Sequence, residues 1–152
     1  MSQIAAYLSE DHAHCDDLFV TAENAVSTPD WVLAQSAFEP FKNATLCHLA
    51  REEVILFPAF ETTSGMVNGP TQVMRMEHTE MRDTLSAMED SLTRHDSNAF
   101  LGLSETLLML MHQHNLKEEQ ILYPMCDQML SGEAGTLIAR MAAVTPEAGP
   151  QT

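Results

Sequence analysis

Positive charge is scarce in this chain. Seven Lys and Arg stand against 22 Asp and Glu, a formal net charge of −15. Such a surface repels a phosphate backbone, which excludes nucleic acid as a partner, and it is equally repelled by anionic membrane headgroups. No run of apolar residues reaches the roughly 18 that a membrane-spanning helix needs. The first residues, MSQIAAYLSED, lack the basic start and apolar stretch of a signal peptide, so a cytoplasmic chain is expected. Cysteine is limited to Cys15, Cys47 and Cys126, with no CxxC pair, and an odd count without an export signal points to reduced thiols. The few Pro and Gly cluster at a handful of places, as in a helical chain with short connections. What remains is 45% hydrophobic over 152 residues, enough for the core of one domain.

The most informative stretch is HLAREEVILFP, residues 48–58, which recurs as HNLKEEQILYP, residues 114–124, with six of eleven positions identical. Each copy carries a His and, four residues later, a Glu: His48 with Glu52, His114 with Glu118. Residues four apart share one helix face, so each copy aims an imidazole and a carboxylate at one point. The same offset of 66 residues carries Asp11-His12 onto Glu77-His78. The chain therefore reads as a duplicated two-helix unit. An all-α fold is expected: an antiparallel up-down four-helix bundle over residues 8–130, a short fifth helix over 133–144 and a disordered tail over 145–152, together one domain spanning 1–152.

Boundaries follow from local signals. Ser9 is a plausible cap for a first helix ending near Ser27, with Ile4–Leu8 as an alternative backward extension. Thr28-Pro29 signals the start of a second helix reaching about Phe60, with Pro40 as a kink or true start and Pro58 bending the last turn inward. After a loop over 62–69, Pro70 opens a third helix running to about His95. The Asp96-Ser97-Asn98 cluster caps a fourth, whose inner face holds Leu103, Leu107, Leu110, His114, Glu118, Ile121 and Met125. Leu137, Ile138 and Met141 give the fifth helix an apolar face, for packing on its own bundle or on a second copy in a homodimer.

A buried carboxylate is costly unless paired or bound to metal, and two facing ones repel. Arg51 and Lys117 adjoin the glutamates but lie about 100° round the helix, off the inner face. Two divalent or ferric cations resolve both difficulties: His12 and His48 serve one, His78 and His114 the other, and Glu52 and Glu118 bridge them. Nitrogen and oxygen donors suit iron, manganese, cobalt or zinc, and a dinuclear carboxylate site inside a helix bundle favours two non-haem iron ions. No cysteine occupies a matched position, which disfavours a thiolate-rich site. The donor count leaves each coordination sphere incomplete, to be filled by water, hydroxide or an oxo bridge, with an open position for a small gas. His14 and His112 lie two residues from the inward histidines and are expected to point away. Glu53, Glu119, Asp11 and Glu77 are either solvated or contact the inward histidines. Cys15, Tyr123 and Trp31 read as packing residues, and His95 as a solvated helix end.

With DHAHCDDLF, HLAREEVILFP, MEHTEMRDTL and HNLKEEQILYP, the chain resembles the haemerythrin-like (HHE cation-binding) family over roughly residues 8–130. The resemblance implies a four-helix bundle around a non-haem di-iron centre with bridging carboxylates, and carries over His12, His48, Glu52, His78, His114 and Glu118 as ligands. Oxygen-carrying haemerythrins have a fifth histidine one turn from the third-helix histidine; here those places hold Met74 and Arg82. The pattern is closer to the four-His, two-Glu branch, which includes iron–sulfur repair proteins; the cysteine-containing domain of the latter is not expected here. The function expected is binding, sensing or buffering of O2 or NO, ahead of catalysis. The alternatives are a di-iron oxidoreductase acting on NO or peroxide, and an iron-storage or metal-stabilised interaction module.

Overall fold

The computed structural model describes residues 3–28 and 30–148, and every regular element among them is helical. α1 spans Gln3–Val26 and α2 spans Trp31–Ala50. The chain continues through a π-helical turn, Arg51–Leu56, into α3, Phe57–Ser64. α4 covers Pro70–Thr93 and α5 covers Ser97–Lys117. A second π turn, Glu118–Leu122, leads into α6, Tyr123–Met129. A 3₁₀ turn, Ser131–Glu133, precedes α7, Ala134–Ala142. Among the described residues no helix is long and apolar enough to cross a membrane.

The helix starts show which local signals prevail. α1 takes the backward extension, because Ile4 and Leu8 are both fully buried. Its first amides are satisfied from a distance: Ile4 and Ala5 N–H donate to the Asp127 carboxylate at 2.8 and 3.1 Å, so Ser9 is interior and caps nothing. α2 is capped by Asp30, which accepts from Leu33 N–H at 3.0 Å. The expected Thr28 cap instead closes α1, its hydroxyl donating to the Ala25 carbonyl at 2.8 Å; Pro29 lies outside the described residues. Asp96 caps α5 as expected, accepting from Ala99 N–H at 3.0 Å. Between α4 and α5 the chain turns at His95, whose φ of 56° is left-handed. Its exposed ring lies flat on Trp31, with centroids 4.8 Å apart and planes within 2°.

Two apolar clusters fill the interior. One holds Ile4, Leu8, Leu56, Phe57, Phe60 and Tyr123 with Leu137 and Met141 of α7. The other holds Phe19, Phe38, Phe41, Leu85, Met88 and Phe100. Because its apolar residues are buried here, α7 closes on its own chain, and Leu137 and Met141 are not available to a second copy. Arg51 Nε also donates to the Met141 carbonyl at 3.0 Å, holding the end of α7 against the first π turn. Beyond it, Pro146–Ala148 forms a 3₁₀ turn within the expected tail, of which residues 149–152 lie outside the described residues.

Each π turn closes an i to i+5 hydrogen bond: Phe57 N–H to the Glu52 carbonyl, and Tyr123 N–H to that of Glu118. The wider turn shifts the helical phase by part of a residue. Ile121, expected inward on strict 3.6 spacing, is therefore 56% exposed, while Leu122 and Tyr123 are buried. Pro58 and Pro124 follow directly, in the first two positions of α3 and α6. A proline has no N–H to donate, and a locally widened turn accommodates the missing bond.

Candidate metal centre

Between the two apolar clusters every long helix contributes polar side chains. Along α1, His12 falls between Leu8 and Phe19; along α4, His78 falls between Met74 and Met81. His48 of α2 and His114 of α5 face them, each one turn before a glutamate at the start of a π turn. All six predicted residues are buried, and Glu52, Glu118 and His78 have no exposed surface.

The ring nitrogens pair as the duplication implies. His12 Nε2 lies 3.0 Å from His48 Nε2, and His78 Nε2 lies 3.2 Å from His114 Nε2. Glu118 Oε1 stands 3.2 Å from His12 Nε2, and its Oε2 stands 3.1 Å from His114 Nε2. Glu52 Oε1 is 3.1 Å from His78 Nε2, and its Oε2 is 3.6 Å from His48 Nε2. Two groups of four result, His12–His48–Glu52–Glu118 and Glu52–His78–His114–Glu118, each with its donor atoms close enough to hold one metal ion. Both carboxylates belong to both groups, the arrangement of a shared pair of bridges.

The outer nitrogens are all occupied. His48 Nδ1 donates to Asp11 and His114 Nδ1 to Glu77, each at 2.8 Å. His78 Nδ1 donates to Glu53 at 2.8 Å, and His12 Nδ1 to Glu119 at 2.7 Å. An ionised carboxylate only accepts, so each outer nitrogen carries hydrogen and each Nε2 is the atom left facing inward, to hold a proton or a metal ion. Three of these carboxylates are themselves anchored by cations. Arg51 binds Asp11 at 2.8 Å, Lys117 binds Glu77, and Arg82 grips Glu53 with two bonds of 2.7 Å. Arg51 and Lys117 thus lie off the inner face, as their spacing indicates, yet still orient the histidines through Asp11 and Glu77.

Electrostatics tell the two central carboxylates apart. Burial disfavours charge at both, but at Glu118 the imidazoles of His114, His12 and His48 outweigh it and hold the carboxyl well below its usual range. At Glu52 burial and the adjacent Glu118 charge win, and its pKa is raised. Burial opposes charge on His114 as well, yet Glu118 and Glu52 lift it to about 9. His48 rises for the same reason, through Glu52, Asp11 and Glu118. At Asp11, burial is overcome by His48 and Arg51, and the pKa falls to about 2.

Two observations fit this cluster to bound cations. Glu52 Oε1 and Glu118 Oε2 are buried and close no well-formed hydrogen bond, a costly state for a carboxylate oxygen; each has an imidazole Nε2, of His78 and of His114, at 3.1 Å. In addition, two imidazole pairs bring inward Nε2 atoms to within 3.0 and 3.2 Å of each other. A cation in each group satisfies both.

Tyr123 was expected to serve packing alone, as the counterpart of Phe57. Its ring does pack beside His12, with centroids 5.7 Å apart. Its hydroxyl, however, donates to Glu52 Oε2 and, at 2.9 Å, lies against Glu118 Oε1, while standing 3.2 Å from His12 Nε2. The sequence carried a signal for it: one repeat has a hydroxyl where the other has none. His14 and His112 are exposed, as their spacing requires. The four outer carboxylates were visible as offset-matched acids, but contact with the histidines was left open. Removing one tests their role: Glu77→Gln is expected to weaken metal affinity about 10–100-fold, measured by competition with a chelator, with little change in helicity.

Helices carrying two imidazole pairs around two shared carboxylates define a helical protein with a site able to bind cations. The chain belongs to the hemerythrin HHE cation binding domain family, whose model matches residues 3–126. No curated protein and no solved structure was found to match it.

Proposed function

We propose that the chain is an antiparallel four-helix bundle holding two iron ions, and that it binds, senses or buffers O2 or NO. His12 and His48 would hold one ion and His78 and His114 the other, with Glu52 and Glu118 shared. The observation that carries this reading is the convergence of two buried carboxylates and four inward-facing histidine Nε2 atoms into two groups of four. Nitrogen and carboxylate donors without thiolate suit iron, and four to a cation leave room for a further ligand. A di-iron pair supplies electrons and an open coordination position for a small gas. The residues do the rest: the outer carboxylates fix the imidazoles, and the apolar clusters on either side keep bulk water away.

One observation favours a second reading, an oxidoreductase of the same centre. The Tyr123 hydroxyl is a buried proton donor at the two shared carboxylates. A centre that reduces NO or peroxide needs such a group.

The test is anaerobic loading with ferrous iron, metal analysis, and an optical titration with O2 or NO. Two irons per chain and a spectral change on gas addition are expected. Two irons without any spectral change would overturn gas binding. Turnover of NO to N2O with a supplied reductant would establish the oxidoreductase reading instead. Uptake of many irons per chain would point to storage.

A further inference from the structure

The duplication that builds the centre is broken on one side. Arg82, which clamps Glu53, has Asp16 as its counterpart 66 residues away. Leu46 and Leu49 beside the first repeat correspond to His112 and Asn115 beside the second. The consequence is visible in the two matched carboxylates: the Glu53 side chain is 3% exposed, while that of Glu119 is 40% exposed. Where the arginine and the two leucines are replaced, a cavity of about 150 Å³ opens between α1 and α5. Asp16, His112, Asn115 and Glu119 line it together with Leu108, Met111 and Leu116, and it ends on His12. On the other side Glu53, clamped by Arg82 at 2.7 Å, sits on the outer nitrogen of His78.

We propose that this cavity is the route by which cations enter and leave, so that the two positions exchange at different rates. This rests on the dinuclear reading above. The position held by His12 and His48 exchanges quickly with solvent. The position held by His78 and His114 is closed by the Arg82–Glu53 pair and exchanges slowly. The lining suits a hydrated divalent cation. Asp16 and Glu119 offer negative charge at the mouth with no arginine or lysine among the lining residues, and a cleft lined by one sign of charge concentrates the opposite ion. The cavity has room for several waters, and Asn115 and His112 offer polar groups to a cation shedding its hydration shell.

The experiment measures release rather than activity. The chain is loaded anaerobically with ferrous iron to two ions, mixed with excess of a chelator that colours on binding ferrous iron, and followed in time. Two phases of one ion each are expected. Asp16→Arg, which restores on this side the arginine found on the other, should slow the fast phase about ten-fold or more by reversing the charge at the mouth. Asn115→Leu should slow it by filling the cavity, and Arg82→Ala should accelerate the slow phase only. Asp16 is exposed, and a thermal melt of the variant confirms that it folds. Release of both ions in a single phase overturns the inference, as does an unchanged fast phase in both Asp16→Arg and Asn115→Leu. Loading of fewer than two ions overturns the dinuclear reading itself, and the inference with it, before any rate is measured.

Discussion

Glu118→Gln is expected to destabilise the metal-free chain by about 3–5 kcal/mol, the range for breaking a buried charge pair by removing one partner. The same change at Glu52 is expected to leave its stability unchanged or raised. The two residues occupy equivalent places in the repeat, so sequence alone predicts equal effects. Their surroundings differ in sign. Glu118 is held ionised by His114, His12 and His48, and an amide there leaves the protonated His114 and His48 without that counter-ion. Glu52 is pushed toward its neutral form by burial and by Glu118, and an amide there replaces a carboxylate whose charge its surroundings disfavour. In the presence of metal the two variants converge, since an amide is a poor bridge: neither should retain two ions. Thermal melts with and without metal, together with metal analysis, check all four quantities. Equal destabilisation of both metal-free variants would contradict the assignment of charge to Glu118.

The second large effect is a pair of opposing pH trends. His114 titrates near 9 in the folded metal-free chain against an ordinary value of 6.5, and His48 is shifted the same way. A histidine whose pKa is raised on folding stabilises most below its unfolded value and loses that contribution as pH rises through the folded one. The metal-free melting temperature should therefore fall between pH 6.5 and about 9. Metal must displace the inner proton of the same rings, so affinity should rise over that window, by up to about ten-fold per pH unit for each proton released. Asp11 acts at the other extreme. Its depressed pKa gives stability that is present above its ordinary value of 3.8 and is lost only as pH falls through about 2. Melting temperature and chelator competition across pH 6 to 9 measure both trends. A metal-free melting temperature that climbs across this window would count against the pairing of His114 with Glu118.

Much of this was legible beforehand because duplication makes spacing informative. An offset that carries His12, His48 and Glu52 onto His78, His114 and Glu118 is a statement about faces, and faces survive small errors in helix boundaries. The fine phase did not survive. Ile121 was placed inward by regular 3.6 spacing, and the π turn at Glu118–Leu122 sends it to solvent. Nothing in the residue types marks a π turn except the proline that follows. The start of the first helix stays open between Ser9 and the backward extension over Ile4–Leu8, because the group that satisfies its first amides, Asp127, lies 123 residues away. Pattern reading finds only caps that are local. Tyr123 was misread for a related reason: aromatic identity predicts burial, whereas where a hydroxyl ends up depends on the opposite helix.

The polar layer lies across the middle of the molecule, with an oily compartment on each side. Cooperative unfolding relies on contacts that run unbroken from one compartment to the other. A cation pair would act as a rivet there, joining four rods at one height. Without it, only the Glu118–imidazole pairs tie the rods at that height, and within the long helices the structure parts most readily at its waist. Amide exchange in the metal-free chain should then be fastest, within the long helices, around residues 48–53 and 114–119.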